Sequence, residues 1–210
     1  MPRFELEHIF SINSWLDKAE ANDPGFTHYL KHAVSMMDFD YCFFKKSEEA
    51  TMHGKIVLAP VKMNQHLKSF MRERGYKSFR EPTYNSADPR LLRELRDAPP
   101  EMQREIFEAA PQEDAFEGFQ EADFLGHDNL LEVQLAKYAF AISDKDKTIE
   151  LVERKIASTG AIMLPMKSMQ KFMSSGPAYY ESVLGTFFRR RCDESIKVPF
   201  ALIGIAVKSD

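Results

Sequence analysis

Apolar positions along this chain switch between two spacings, and each spacing marks a different kind of element. A short strand is expected near Phe4–Phe10, with helices after it. In GFTHYLKHAVSMM, Phe26, Leu30, Ala33 and Met37 recur at helical spacing. The segment GKIVLAPVKMNQHLKSFMRERGYK reads as a strand, a turn at Pro60 and a basic helix ending at Gly75. At SADPRLLRELR, Asp88 can cap a helix and Pro89 suits its first turn; a second helix starts after the paired prolines of APPEMQREIFEAA. Together they predict a helical arm at about residues 86–118, inserted ahead of the main sheet.

From Gln120 the pattern changes. EADFLG and NLLEVQLAKYAFAI read as two strands joined by a turn at Gly126-His127-Asp128-Asn129. DKDKTIELVERKIAS follows as a helix with Ile149, Val152 and Ile156 on one face. Then come strand AIMLP, short helix MKSMQKFM, loop SSG, helix PAYYESVLGTFFRRR and strand VPFALIGIAV. Apolar strands alternating with helices predict an α/β fold with parallel pairing, and the opening pair adds an antiparallel hairpin. The expected architecture is one domain over residues 1–210: a mixed central β-sheet flanked by helices, with a helical insert.

Composition narrows the class without naming it. At 210 residues, 44% hydrophobic and 29% charged, the chain can build a real core and is not a disordered polymer. No apolar run is long enough to span a membrane, and the opening MPRFELEHIF carries acids where a signal peptide needs apolar residues. Cys42 and Cys192 allow at most one bridge and form no metal cluster, so a reducing cytoplasm is the expected compartment. The net charge of −4 gives no overall attraction to nucleic acid. The charge is uneven, however. From His53 to Arg80 seven bases face Glu73 alone, from Asp97 to Glu132 eleven acids face Arg104 alone, and from Gly160 to Asp210 seven bases face four acids. Local basic segments can therefore line a cleft in an acidic protein.

The candidate chemistry lies in the hairpin. Asp123 precedes Glu132 by nine residues, and Gln134 follows Glu132 by two. On a strand Glu132 and Gln134 share a face while Val133 points away, and a hairpin can bring the Asp123 and Glu132 carboxylates together. Two carboxylates and a backbone carbonyl suit Mg²⁺, a hard cation with oxygen ligands. Gln134 can orient an attacking water, although a neutral amide is no efficient general base. Spacing alone leaves a second reading open: two acids and an amide near a turn and sheet edge, with no metal.

The stretch DFLGHDNLLEVQLAKYAF resembles the active-site hairpin of the BglII and BstYI group of type II restriction endonucleases, within the PD-(D/E)xK nuclease superfamily. The resemblance continues in AIMLPMKSM, KFMSSGPAYYE and PFALIGIAV, and upstream in GKIVLAPVKMNQ and NSADPRLLRE, with a leaning toward BstYI. It implies a restriction-endonuclease-like core in a prokaryotic cytoplasmic enzyme. It makes Asp123 and Glu132 metal-binding carboxylates, the Val133 carbonyl a further ligand, and Gln134 the third catalytic residue in place of the superfamily's lysine. It also places base or phosphate contacts at Lys137, Ser174 and Ser175. The implied reaction is Mg²⁺-dependent hydrolysis of double-stranded DNA at a palindromic GATC-centred hexamer by a homodimer, leaving 5′-phosphate four-base overhangs. A repair nuclease of the same fold, or a DNA-binding protein that no longer cleaves, are the rival readings.

Other residues have plainer explanations. On an ideal strand Lys137 points opposite to Gln134, and a solvated lysine is the simple alternative. Ser174 and Ser175 precede Gly176-Pro177, where a helix is expected to start, so capping competes with DNA contact. Tyr179 and Tyr180 read as core or interface, Arg189–Arg191 as a solvated helix end, and Met163, Met166, Met169 and Met173 as core filler. His28 and His32 have metal-compatible spacing without an acidic third ligand, and His127 sits in the hairpin turn.

Overall fold

The computed structural model describes residues 2–43, 45–50, 52–111, 113 and 115–208, without the side chains of Cys192 and Asp193. In chain order the elements are β1 (Arg3–Ile12), α1 (Trp15–Asn22), α2 (Phe26–Ser35), α3 (Phe39–Cys42), β2 (Lys45–Lys46), β3 (Ile56–Val57) and α4 (Pro60–Glu73). Next come β4 (Lys77–Ser86), α5 (Pro89–Asp97), α6 (Pro100–Ala109), β5 (Ala115–Gly126) and β6 (Asn129–Val133). The rest are α7 (Tyr138–Glu153), β7 (Thr159–Pro165), a 3₁₀ helix (Lys167–Phe172), α8 (Tyr180–Arg189), α9 (Cys192–Ser195) and β8 (Phe200–Lys208). None of the described helices is long and apolar enough to cross a membrane.

Six strands form one sheet in the order β1-β8-β7-β6-β5-β4. β6, β7 and β8 run parallel, while β1 with β8 and β5 with β6 are antiparallel. The sheet is mixed and flanked by helices, as the pattern of apolar strands predicts.

The residues divide into two compact units, Met1–Ser78 with Ala122–Asp210, and Phe79–Glu121. In the first unit, alternate positions of β7 and β8 feed two cores. Ala161, Met163, Ala201, Ile203 and Ile205 pack with Trp15, Phe26, Leu30, Met63, Leu67 and Met71 of α1, α2 and α4. Ile162, Leu164, Leu202 and Ala206 pack with Ala141 of α7 and with Val183 and Phe187 of α8. Strands covered on both faces read as continuous apolar runs, which is why AIMLP and FALIGIAV stand out in the sequence. In the second unit, Leu95 is buried, the Tyr84 and Phe107 rings lie 4.9 Å apart, and Arg80 stacks over Phe119 at 3.9 Å. Asp88 caps α5 by accepting from the Arg90 N–H, and Pro89 fills its first turn.

Several local expectations are corrected. Pro60 is no turn residue; it opens α4, where a missing N–H costs nothing. The strand expected through NLLEVQLAKYAFAI ends at Val133, and Tyr138 already starts α7. A short apolar run has no period of its own, and Ala141, Thr148, Leu151 and Val152 form the buried face of a helix. That helix stops at Glu153, because Lys155 takes a left-handed conformation (φ 62°), leaving Ile156 beyond it. The β4 strand has no counterpart in the sequence reading: KSFREPTYNS is mostly polar and only Ser86 is buried, so no buried face shows in its pattern.

Two glycines decide how closely the layers approach. Gly75 ends α4 at φ 91°, with the Tyr76 N–H donating to the Met71 carbonyl, a left-handed cap that a side chain would strain. At Gly160 on β7, a Cβ would lie 2.4 Å from the Thr148 side chain. Its absence lets α7 settle directly on the sheet.

Candidate active site

Asp123 and Glu132 stand on neighbouring antiparallel strands just beyond the Phe124–Leu131 pair. One Asp123 oxygen accepts from the Val133 N–H at 3.0 Å, tying the first carboxylate to the backbone between Glu132 and Gln134. Its other oxygen lies 3.8 Å from Lys68 Nζ of α4. Leu131 and Val133 belong to the core under α1, α2 and α4, so strand alternation sends Glu132 to the α7 face. There its side chain is only 5% exposed, against 26% for Asp123.

Glu132 Oε1 lies 2.8 Å from Lys147 Nζ in a buried ion pair. Burial pushes the Glu132 carboxyl up to about 8, against the pull of the Lys147 ammonium and with the added push of Asp123 and Asp144. Burial works against the charge of Lys147 too, but Glu132 and Asp144 hold its ammonium above the ordinary lysine range.

Gln134 sits one residue past the end of β6, where its N–H still donates to the Met163 carbonyl. Its carboxamide faces inward. Oε1 accepts from the N–H groups of Ala136 and Lys137, each at 3.2 Å, and Nε2 donates to Asp144 Oδ2 at 2.8 Å. Both polar ends of this amide have protein partners, which turn the chain into α7. Lys137 is likewise no strand residue. It is the N-cap of α7, with its Nζ 5.6 Å from the Phe140 ring centroid.

The serines lie in the loop between the 3₁₀ helix and α8, which begins only at Tyr180. A helix starting at Pro177 was expected; Gly176 at φ 102° and the extended Tyr179 postpone it, so neither serine is a cap. The Ser175 N–H and hydroxyl both donate to the Glu49 carboxylate, holding it below the ordinary glutamate range with further help from burial-opposed contacts to Lys45 and Ser174. Tyr138 N–H donates to the Gly176 carbonyl at 2.9 Å, which brings this loop against the residue next to Lys137. His127 is away from the carboxylates, at the far end of the hairpin, with its ring bonded to the Arg74 carbonyl at 2.8 Å. His28 and His32 join no group of three metal-ligating side chains among the described residues.

The arrangement suits a divalent cation. Two carboxylates on paired strands are near enough to influence each other's charge, and oxygen donors are what Mg²⁺ or a similar hard ion takes. No group of three acidic, histidine or cysteine side chains that could hold a metal ion occurs among the described residues, so for a bound ion the backbone and water would supply further ligands, the part expected of the Val133 carbonyl.

Residues 19–205 match the family described as restriction endonuclease BglII/BglIII. The chain belongs to that family. It is a type II site-specific deoxyribonuclease with the α/β fold of a restriction endonuclease. Among solved structures it is similar to restriction endonuclease BglII complexed with a DNA 16-mer, at 18% identity and a TM-score of 0.65, covering 97% of this chain and 76% of that one. Free BglII is similar at 18% identity and a TM-score of 0.57, covering 97% of this chain and 79% of that one. No curated protein matches.

Within this BglII-family site, three residues escaped the sequence reading: Lys68, Asp144 and Lys147. Lys68 of α4 and Lys147 of α7 bring ammonium groups against Asp123 and Glu132. The signal was the D-x-x-K spacing of Asp144 and Lys147, one turn of a helix apart. It was obscured because the preceding strand was carried through to Ile142, which left Asp144 looking like a helix start.

Proposed function

We propose that this enzyme hydrolyses both strands of double-stranded DNA at a palindromic GATC-centred hexamer, purine-GATC-pyrimidine, with Mg²⁺ as cofactor, leaving 5′-phosphate four-base overhangs. The observation that carries the reading is the placement of Asp123 and the buried Glu132 on paired strands in a chain of the BglII/BglIII family. Asp123, Glu132 and the Val133 carbonyl would hold the ion. When bound, it supplies Lewis-acid stabilisation of the charge that builds on the scissile phosphate and lowers the pKa of water. The protein's own part is to hold Asp123 against the backbone between Glu132 and Gln134 through the Asp123–Val133 bond, and to offer the half-exposed Lys68 beside Asp123 for attraction of the phosphate. Gln134 acts as the third residue by anchoring the start of α7.

Base reading is assigned to Lys137 with Ser174 and Ser175, whose loop meets the start of α7 through the Tyr138–Gly176 bond; Ser175 would have to give up its Glu49 contact to reach a base. Adenine and guanine both offer N7 as an acceptor in the major groove, while their six-position groups are of opposite character. A lysine or serine donor aimed at N7 takes either purine, and a lysine cannot accept from the adenine amino group. Without a bidentate contact, worth roughly 1–3 kcal/mol of discrimination, the outer pair stays degenerate. Competitive digestion of duplexes carrying AGATCT, GGATCC and AGATCC is expected to cleave all three, and sequencing of the ends is expected to show the four-base 5′ overhang. Cleavage of AGATCT alone would remove Lys137 as the outer-base reader. Damage-dependent nicking in place of discrete bands would favour a repair enzyme.

A palindrome is read most simply by two copies of one surface, so the enzyme is proposed to act as a homodimer with one subunit per half-site. Sedimentation is expected to give twice the chain mass without DNA. Monomer mass both free and on a short palindromic duplex would defeat the assignment.

A further inference from the structure

We propose that Asp144 and Lys147 of α7 are positioning residues of the active site, clamping Glu132 and Gln134 into one rigid unit. The proposal rests on the metal-dependent reading of Asp123 and Glu132 given above.

The contacts form a closed circuit. Lys147 Nζ lies 2.8 Å from Glu132 Oε1 and 3.2 Å from Asp144 Oδ1. Asp144 Oδ2 accepts from Gln134 Nε2 at 2.8 Å, and Gln134 Oε1 accepts the first free N–H groups ahead of α7. Since Asp144 and Lys147 stand on that same helix, the circuit returns to its origin, and no member can turn without disturbing the next. The Asp144 and Lys147 side chains are only 15% and 19% exposed, so the network works in a poorly solvated space. The missing Cβ at Gly160 lets the turn of α7 carrying Lys147 and Thr148 sit close enough to reach Glu132.

Stability alone does not explain this arrangement. Buried ion pairs are often no better than apolar packing of the same volume, because both charges must be desolvated. A carboxylate meant to take a metal, however, needs a counter-charge beside it in the free enzyme and a fixed direction in the loaded one. Lys147 supplies the first, and the bond from Asp144 to Gln134 supplies the second. Outer partners of this kind change metal-site activity by about 10–100-fold when removed.

The test uses the full-length protein with Lys147→Met, Lys147→Arg and Asp144→Asn. Single-turnover cleavage of a cognate duplex at saturating Mg²⁺ is expected to fall about 10–100-fold in Lys147→Met, with duplex affinity in Ca²⁺ changed less than about threefold. Lys147→Arg, which keeps the charge, is expected to recover most of the loss. In the metal-free protein, the Gln134 carboxamide ¹⁵N–¹H pair, assigned by its disappearance in Gln134→Ala, is expected to shift in Asp144→Asn and Lys147→Met. A cleavage rate near that of the parent in Lys147→Met would overturn the proposal. So would an equal loss in the Arg and Met variants accompanied by a lowered melting midpoint, which marks a fold defect, or an unmoved Gln134 resonance. Should Lys147→Met fail to fold, Lys147→Arg and Asp144→Asn carry the same comparisons. Failure of the underlying reading shows separately, as continued cleavage by Asp123→Asn while the Gln134 resonance still moves in Asp144→Asn and Lys147→Met.

Discussion

Asp123→Asn and Glu132→Gln are each expected to abolish cleavage while leaving sequence-specific binding of the duplex in place. Each substitution keeps the outline of the side chain and removes the charge that would hold the cation. A divalent ion stabilises the charge on a reacting phosphate by several kcal/mol, so the loss should be on the order of a thousandfold or more in rate. In Asp123→Asn the amide oxygen can still accept the Val133 N–H bond, so the hairpin keeps its form. Binding should hold or tighten, since one negative charge facing the DNA phosphates has gone. Single-turnover cleavage and gel-shift titration of the same duplex separate the two effects. Near-parental cleavage by either variant would take that carboxylate out of the catalytic site.

The second large effect is on stability and runs opposite to activity. The Glu132 carboxyl holds its proton up to about 8 in the folded chain, chiefly because it is buried, whereas the ordinary value is 4.5. Between those values the native state binds a proton that the unfolded state has released. Stability of the metal-free protein therefore falls as pH rises through this window, by about 1.4 kcal/mol per pH unit at most. Glu132→Gln removes that titration. The variant is expected to gain on the parent from pH 5 to pH 8 and to keep its advantage above that, less whatever Lys147 loses with its partner. Urea unfolding of both proteins with a chelator at pH 5, 7 and 9 measures the gap. Parallel curves at all three pH values would show that Glu132 does not titrate there. The parent thus carries an unstable group at the place where it would do its chemistry, a trade of stability for function.

Much of the fold was legible because burial on both faces writes itself into composition. AIMLP and FALIGIAV could hardly be anything other than interior strands, and Asp88-Pro89 announced a helix start that α5 adopts. The hairpin that sets Asp123 beside Glu132 was legible for a similar reason: its turn residues stand between two apolar strands, and the pairing of Phe124 with Leu131 follows. β4 was not legible, since its polar side chains follow no buried face. The end of β6 was not legible either. Leu135 and Ala141 are as apolar as a strand continuation would require, and the change to a helix is made by the Gln134 carboxamide accepting two backbone N–H groups, which no hydropathy pattern records.

The sequence by itself pointed to a pair of carboxylates and an amide held at strand spacing as the candidate site, and to the family that the chain belongs to. Only the tertiary structure decided their electrostatics. Strand alternation turns Glu132 to the face covered by α7, and the bare backbone at Gly160 lets that helix come close. Lys147, fifteen residues further along the chain, thereby becomes the partner of Glu132. Charge and proton affinity depend on distance through space and on exclusion of water, and neither is a property of spacing along the chain.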